Sequence, residues 1–245
     1  MGARGNSTSP GTYRVEEGET FGILYGQRFI RSLSDLPPGE DANDYTINSD
    51  GYVIPLGTEG TRFETVIIDQ DADGKPIVQK IGDANPDFHV NFSNTITVKG
   101  FTLYVLLDWK QGGDIYNLTN QWMYRDMRSA DQDVYGLPDY QKKAFDYYQS
   151  QYNVAAPSSH FVYDGTYVKI REASLYYQID KKFFNFFKHL RIGVQGRNLF
   201  TFTNYKGFDP EIGTTEGSGD ATIQAWDEFR YPNYRTVTGS IEFKF

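Results

Sequence analysis

Apolar and polar residues alternate in five segments of the chain, and this alternation predicts five β-strands. The first is segment 88–98, in which Phe88, Val90 and Phe92 share one face. A period of two residues is typical of a strand with one apolar side. The other four segments with this pattern are 101–109, 167–179, 190–200 and 236–245.

The first two strands are joined by a turn of two residues, Lys99 and Gly100, which predicts a β-hairpin. The apolar face of the second strand carries Leu103, Val105 and Leu107. With the first strand it forms one continuous apolar surface.

The third strand changes phase part of the way along. Ala173 and Leu175 lie on its apolar face, but Val168 and Ile170 are out of phase with them. One extra residue in a strand produces such a shift, so a β-bulge is expected near Arg171 and Glu172.

The connections between the predicted strands alternate between short and long. The long ones are 110–166 and 201–235, and segment 1–87 also lacks sustained periodicity. A short helix is expected within 138–152, where aromatic and small residues repeat every four positions, and a short strand is expected near 65–69. Outer-membrane barrels have short turns on one side and long loops on the other, whereas a soluble sandwich has no reason for this asymmetry.

Composition excludes several classes of protein. The net charge is −8, which argues against a nucleic-acid-binding surface. The chain has no cysteine and three separated histidines, so disulfides and zinc-ligand spacing are absent. Mean hydropathy is −0.57, and no apolar run reaches the length of a membrane helix. The 19 Tyr and 18 Phe favour a β-rich chain.

Several short motifs together resemble one known family, the SusC/RagA-type TonB-dependent outer-membrane transporters. The resemblance runs from about residue 18 to residue 245. The motifs that carry it, in chain order, are 81–88 (IGDANPDF), 98–101 (VKGF), 112–117 (GGDIYN), 167–175 (YVKIREASL), 198–203 (NLFTFT), 205–211 (YKGFDPE), 231–232 (YP) and 235–236 (RT).

The resemblance implies an all-β fold: the C-terminal section, about five antiparallel strands, of a large transmembrane β-barrel with long extracellular loops. Members of the family have a barrel of about 22 strands with an N-terminal plug. On this interpretation residues 1–87 form an extracellular loop region, and 88–245 hold the barrel strands with extracellular loops 110–166 and 201–235. Five strands cannot close a barrel, so we expect either a section of a longer polypeptide or the product of a truncated gene.

The function implied by the resemblance is nutrient uptake across the outer membrane of a Gram-negative bacterium. The transported molecules would be oligosaccharides or peptides, and no covalent chemistry or cofactor is implied. The implied partners are a SusD-like surface lipoprotein, the TonB complex acting through an N-terminal part, the barrel assembly machinery and outer-membrane lipid. A soluble carbohydrate-binding β-sandwich is the alternative, although it could not leave the apolar strand faces in water.

Residue candidates follow from these two interpretations. The side chains expected to face lipid are Phe88, Val90, Phe92, Leu103, Val105 and Leu107. The final strand ends in alternating apolar residues, and we expect Ile241, Phe243 and Phe245 to be the terminal signal recognised by the assembly machinery.

Four aromatic residues in the long connections are candidates for contact with a ligand or a partner: Trp122, Tyr124, Trp226 and Tyr231. Aromatic rings can stack on sugar rings or pack against a lid protein. The alternative is packing within the loops or an aromatic belt at the membrane interface.

An acidic turn resembles the first half of a calcium-binding loop. Asp69, Asp71 and Asp73 alternate before Gly74, as oxygen ligands do in such loops. The Glu expected at the twelfth position is replaced by Lys80, and the alternative is a solvated turn.

The opposite face of the strands is expected to be polar. Arg191, Gln195 and Arg197 should point into the barrel, where they would pair with acidic groups of a plug or contact water. Asp209 and Glu211 have the spacing i, i+2, which does not establish a glycosidase pair without a measured separation.

Overall fold

The computed structural model describes residues 17–152, 157–179, 189–211, 225–229 and 231–244. These residues form two compact units. The strands and α-helices, in chain order, are β1 (Ile23–Gln27), β2 (Tyr45–Ile47), β3 (Val53–Pro55), β4 (Val78–Asp83), β5 (Pro86–Val98), β6 (Phe101–Gly112), β7 (Asp114–Asn117), α1 (Leu118–Arg125), α2 (Phe145–Gln151), β8 (Val162–Asp164), β9 (Tyr167–Ile179), β10 (His189–Thr203), β11 (Trp226–Asp227) and β12 (Thr236–Lys244).

One unit, here called the sheet unit, contains the described residues of 86–113, 164–211 and 231–244. Its five strands form a single antiparallel sheet in the order β12-β10-β9-β6-β5. These are the five strands that the alternation predicts. Each observed end lies within three residues of the expected one.

The hairpin between β5 and β6 turns at Lys99 and Gly100, as expected. Both residues have positive φ angles, 49° and 86°, which is the conformation that a tight hairpin turn requires. A Cβ atom at Gly100 would lie 2.7 Å from the carbonyl oxygen of Gln178. Gln178 also donates its backbone N–H to the Gly100 carbonyl at 2.8 Å, so this turn is fixed to β9.

The expected β-bulge in β9 is confirmed. Glu172 pairs with Leu106 of β6, and Ile170 pairs with Leu107. Arg171 is therefore the extra residue. The bulge restores Ile170 to the apolar face, which explains the change of phase in the sequence.

The sheet has one continuous apolar face, and that face is exposed. The register aligns Phe92 with Leu107 and Ile96 with Leu103 across β5 and β6. The exposed fraction is 56% for Phe92 and 54% for Ile96. Exposed apolar residues continue on the other strands: Phe101, Leu175, Tyr177, Ile192, Val194, Phe200, Phe202, Val237, Ile241 and Phe243.

The second unit, here called the mixed unit, contains the described residues of 17–85, 114–163 and 225–229. It has small sheets, β1 with β4, β2 with β3, and β11-β7-β8, together with helices α1 and α2. Its core is largely aromatic and includes Leu24, Phe29, Tyr52, Val66, Tyr116, Tyr124, Tyr147, Tyr148 and Phe161. None of the helices in the described residues is long and apolar enough to cross a membrane.

The local expectations for the mixed unit are met in part. The strand expected near 65–69 is reduced to an isolated bridge between Ile68 and Phe29. The short helix expected within 138–152 is confirmed as α2, which is preceded by one 3-10 turn at Asp139–Gln141. Helix α1 was not expected; it begins where the Asn117 side chain accepts a hydrogen bond from the backbone N–H of Asn120 at 2.7 Å.

Candidate functional site

The most buried polar groups of the sheet unit lie on the face opposite the apolar one. Asp108 of β6 and Lys169 of β9 are directly paired in the register. Each is only 2% exposed. Arg171, turned by the bulge, donates from Nε to Asp108 Oδ2 at 2.7 Å. His89 Nε2 lies 2.5 Å from the other carboxylate oxygen of Asp108.

Two carboxylates from the segment after β10 complete this arrangement. Lys169 Nζ lies 2.5 Å from Asp209 Oδ1 and 3.0 Å from Glu211 Oε2. Arg171 donates from Nη2 to Glu211 Oε1 at 2.7 Å. Asp108, Lys169, Arg171, Asp209 and Glu211 are called the ionic cluster below.

Arg171 and Lys169, the two cations of the ionic cluster, keep the carboxylate of Glu211 charged. Burial opposes ionisation of Glu211. Hydrogen bonds from Arg171 and then from Lys169 outweigh that effect, so the pKa of Glu211 falls below its usual value. The carboxylates of Asp209 and Glu211 thus accept hydrogen bonds from the two cations of the ionic cluster.

The ionic cluster was not foreseen, although four of its five members lie in the motifs 167–175 and 205–211. Arg171 is 63 residues from Asp108 and 40 from Glu211 in the chain. The sequence held one signal of the ionic cluster, which was the ionisable residue Arg171 at the expected bulge.

Three other polar residues of this face find partners within the sheet unit. Arg197 lies 3.3 Å from Glu172, and the Arg191 guanidinium sits 4.1 Å from the ring centre of Tyr176. The hydroxyl of Tyr176 donates to Gln195 at 3.4 Å. Pairing with a plug is therefore not needed to satisfy these side chains.

Tyr124, expected in a contact loop, is instead a core residue of the mixed unit. It lies on α1 and is 2% exposed. His160 Nε2 is 2.9 Å from its hydroxyl, and burial raises the pKa of Tyr124 well above its usual value. The interpretation of Tyr124 as a surface contact is wrong, because an unforeseen helix turns this side chain inward.

The other aromatic candidates differ in their surroundings. Trp122 is partly buried, and the Arg125 guanidinium lies 4.0 Å from its ring centre. Trp226 is also partly buried, and its ring stacks on Tyr116 at 4.6 Å. Both contacts match packing within the loops. Tyr231 is 91% exposed and stays a candidate for contact with a ligand.

The acidic turn is stabilised by contacts of its own carboxylates. Asp69 pairs with Arg28 at 2.9 Å. Asp71 Oδ1 accepts hydrogen bonds from the backbone N–H groups of Asp73 and Lys75, both at 2.9 Å. Within the described residues no three His, Asp or Glu side chains are grouped to hold a metal ion. These contacts match the alternative interpretation of this segment, a turn capped by its own side chains.

The residues expected to face lipid or to guide assembly lie on the apolar face. Phe88 packs edge-on against Trp109 with ring centres 4.8 Å apart. Leu103 is 40% exposed, and Val105 and Leu107 are partly buried. Ile241 and Phe243 of β12 continue this face, 63% and 49% exposed. Phe245 lies outside the described residues.

Two curated proteins of the bacterium Formosa agariphila are similar in sequence. TonB-dependent receptor P3 is 27% identical over 243 residues, covering 96% of this chain and 23% of its own length. TonB-dependent receptor P39 is 26% identical over 274 residues, covering 96% and 26%. The chain thus spans about a quarter of the curated relatives it matches. No family model matches the chain.

Solved structures of the RagAB peptide importer share the fold. The closed-closed state matches with a TM-score of 0.56 and 17% identity, covering 91% of this chain and 23% of that one. The open-open state matches with a TM-score of 0.52, also at 17% identity, covering 91% and 22%. The names of the two sequence relatives and the fold shared with RagAB both support the motif resemblance to SusC/RagA-type TonB-dependent receptors.

Proposed function

We propose that this chain forms part of the wall and rim of an outer-membrane transporter that imports oligosaccharides, with peptides as the second class of substrate. The sheet would lie in the outer membrane of a Gram-negative bacterium, with its apolar face toward lipid. The mixed unit would lie among the extracellular loops. The peptide alternative draws support from the fold shared with the RagAB peptide importer.

The observation that carries this proposal is the exposed apolar face of the sheet. Val90 is 49% exposed and Ile192 is 46% exposed. Contiguous apolar surface of this size is unfavourable in water. In a bilayer the same face is favourable, because barrel strands alternate between apolar residues toward lipid and polar residues toward the interior.

The soluble sandwich is the rival function, and the same face weighs against it. A sandwich covers the apolar side of one sheet with a second sheet. The described residues leave Phe92 and Ile96 more than half exposed.

The proposed partners follow from the family. A SusD-like lipoprotein would bind at the extracellular side, TonB would supply energy through an N-terminal part, and the barrel assembly machinery would insert the strands. The proposed work is binding and translocation, with no catalysed covalent step. Tyr231 is the aromatic candidate with the exposure that contact with a ligand needs.

Fractionation of the source cells tests the membrane assignment. An antibody against 69–77 should detect a heat-modifiable outer-membrane band well above 28.0 kDa and should label intact cells. A soluble band at 28.0 kDa would contradict the proposal. Disruption of the gene should then abolish uptake of fluorescent oligosaccharides, or of fluorescent peptides if that class is the substrate. Unchanged uptake of both would contradict the transport function.

A further inference from the structure

Both ends of the long connection between β10 and β12 are held at the ionic cluster. At the first end, Asp209 and Glu211 bind Lys169. At the second end, the backbone N–H of Asn233 donates to Asp209 Oδ2 at 3.2 Å. The Asn233 side chain donates to Glu211 Oε2 at 2.9 Å. Two segments more than 20 residues apart therefore share one point of attachment.

The point of attachment is rigid because it is built on the central strands of the sheet. Lys169 lies on β9 and Asp108 on β6. Lys169 is held between the carboxylates of Asp209 and Glu211, and its side chain is 3% exposed. A further hydrogen bond, from Thr203 Oγ1 to the carbonyl of Thr166 at 2.7 Å, fixes the start of the connection.

An ordinary surface ion pair on the same strands gives the contrast. Arg197 and Glu172 join β10 to β9, and the Arg197 side chain is 64% exposed. Such pairs contribute little to structure. The ionic cluster instead combines several charges around Lys169 and Asp108, whose side chains are each 3% exposed. Displacing a partner of either residue would leave a buried charge unpaired, which favours one arrangement.

The two attached segments present exposed aromatic side chains next to the points of attachment. Phe208 precedes Asp209 and is 66% exposed. Tyr231 and Tyr234 flank Asn233 and are 91% and 81% exposed. Aromatic rings fixed in position contact a ligand at a lower entropic cost than rings on a free loop.

We propose that the ionic cluster is a positioning device, which fixes both ends of the connection 204–235 on the polar side of the sheet and thereby holds Phe208, Tyr231 and Tyr234 in place for contact with a ligand. The ligand part of this inference rests on the proposed transport function. The attachment itself does not.

Hydrogen exchange on the receptor in lipid nanodiscs tests the attachment. In the double variant Asp209→Asn with Glu211→Gln, amides of 205–211 and 231–235 should exchange at least tenfold faster. Amides of β9 and β10 should keep their rates, which a general loss of stability would not allow. The matched control is Glu172→Gln, which removes the exposed pair and should change neither segment. Unchanged exchange of both segments in the double variant would overturn the proposal.

A second variant keeps the test decisive if the double variant fails to fold. Asn233→Ala removes only the neutral side-chain donor to Glu211 and leaves every charge of the ionic cluster and the backbone N–H of residue 233 in place. It should speed exchange in 231–235 at least tenfold and leave 205–211 unchanged. Equal rates in the variant and the wild type would overturn the shared attachment. Neither hydrogen-exchange result depends on transport. Failure of the proposed transport function would instead appear as unchanged uptake after gene disruption, so the two failures can be told apart.

Discussion

The sheet unit and the mixed unit expose and bury opposite kinds of side chain. In the mixed unit Leu24, Tyr116 and Phe161 are completely buried, as in a water-soluble domain. In the sheet unit Asp108 and Lys169 are among the most buried residues, while its large apolar side chains are exposed. These two patterns are what the proposed function predicts, with water around one unit and lipid along one face of the other.

Charge follows the same division. Among the described residues, the mixed unit has more than two acidic residues for each basic one, whereas the sheet unit has slightly more basic than acidic residues. The net charge of −8 therefore comes from the mixed unit. A highly charged surface is typical of a unit surrounded by water.

The largest effect is expected from removing the buried cation of the ionic cluster. Lys169→Met would leave the carboxylates of Asp209 and Glu211 without their ammonium partner, at a cost of about 3–5 kcal/mol in unfolding free energy. The control Arg197→Met breaks an exposed pair and should cost less than about 1 kcal/mol. Urea unfolding of the receptor in lipid vesicles measures both. Equal losses would contradict the contrast between buried and exposed ion pairs.

A similar loss is expected in the core of the mixed unit. Phe161 is fully buried, so Phe161→Ala should cost about 3–5 kcal/mol through lost burial and the cavity it leaves. Protease resistance of the mixed unit should fall accordingly. The exposed Phe63 serves as the control, since Phe63→Ala should leave protease resistance within error. A variant at Phe161 that resists proteolysis like the wild type would contradict the assigned core.

A charge on the apolar face distinguishes lipid from water. Phe92→Arg should destabilise the sheet by about 2–4 kcal/mol if Phe92 faces the middle of a bilayer. In water the same exposed substitution would change stability by at most about 0.5 kcal/mol. Ser93→Arg, on the opposite face, is the matched control and should be nearly neutral. The measurement is the fraction of protein that folds into lipid vesicles at a series of urea concentrations.

The pH dependence of the ionic cluster should be the smallest effect near neutrality. The pKa of Glu211 is lower in the folded protein than its usual 4.5. Its contribution to stability is therefore complete above about pH 4.5 and is lost as the pH falls through the folded value. The urea concentration at the midpoint of unfolding should be measured from pH 7 to pH 3. As the pH falls, this midpoint should decrease less steeply in Glu211→Gln than in the wild type. Parallel curves would contradict the pairing.

The sheet could be predicted because its signals are local. Alternation within β5 and the phase change around Arg171 need only neighbouring residues, so strands, turn and bulge were all expected. The ionic cluster could not be predicted, since its partners meet only after three strands have aligned. Tyr124 was misplaced for a related reason, because the Asn117 cap that starts α1 lies in a segment without strong periodicity.

The central claim is that one face of the sheet contacts lipid, and quenching by labelled lipid tests it most directly. Single cysteines at positions 90 to 96 of a cysteine-free receptor in vesicles would each carry a fluorophore. Spin-labelled lipid should quench positions 90, 92 and 96 strongly and positions 91, 93 and 95 weakly. Equal weak quenching at all positions, with strong quenching by aqueous iodide at 92, would contradict the claim.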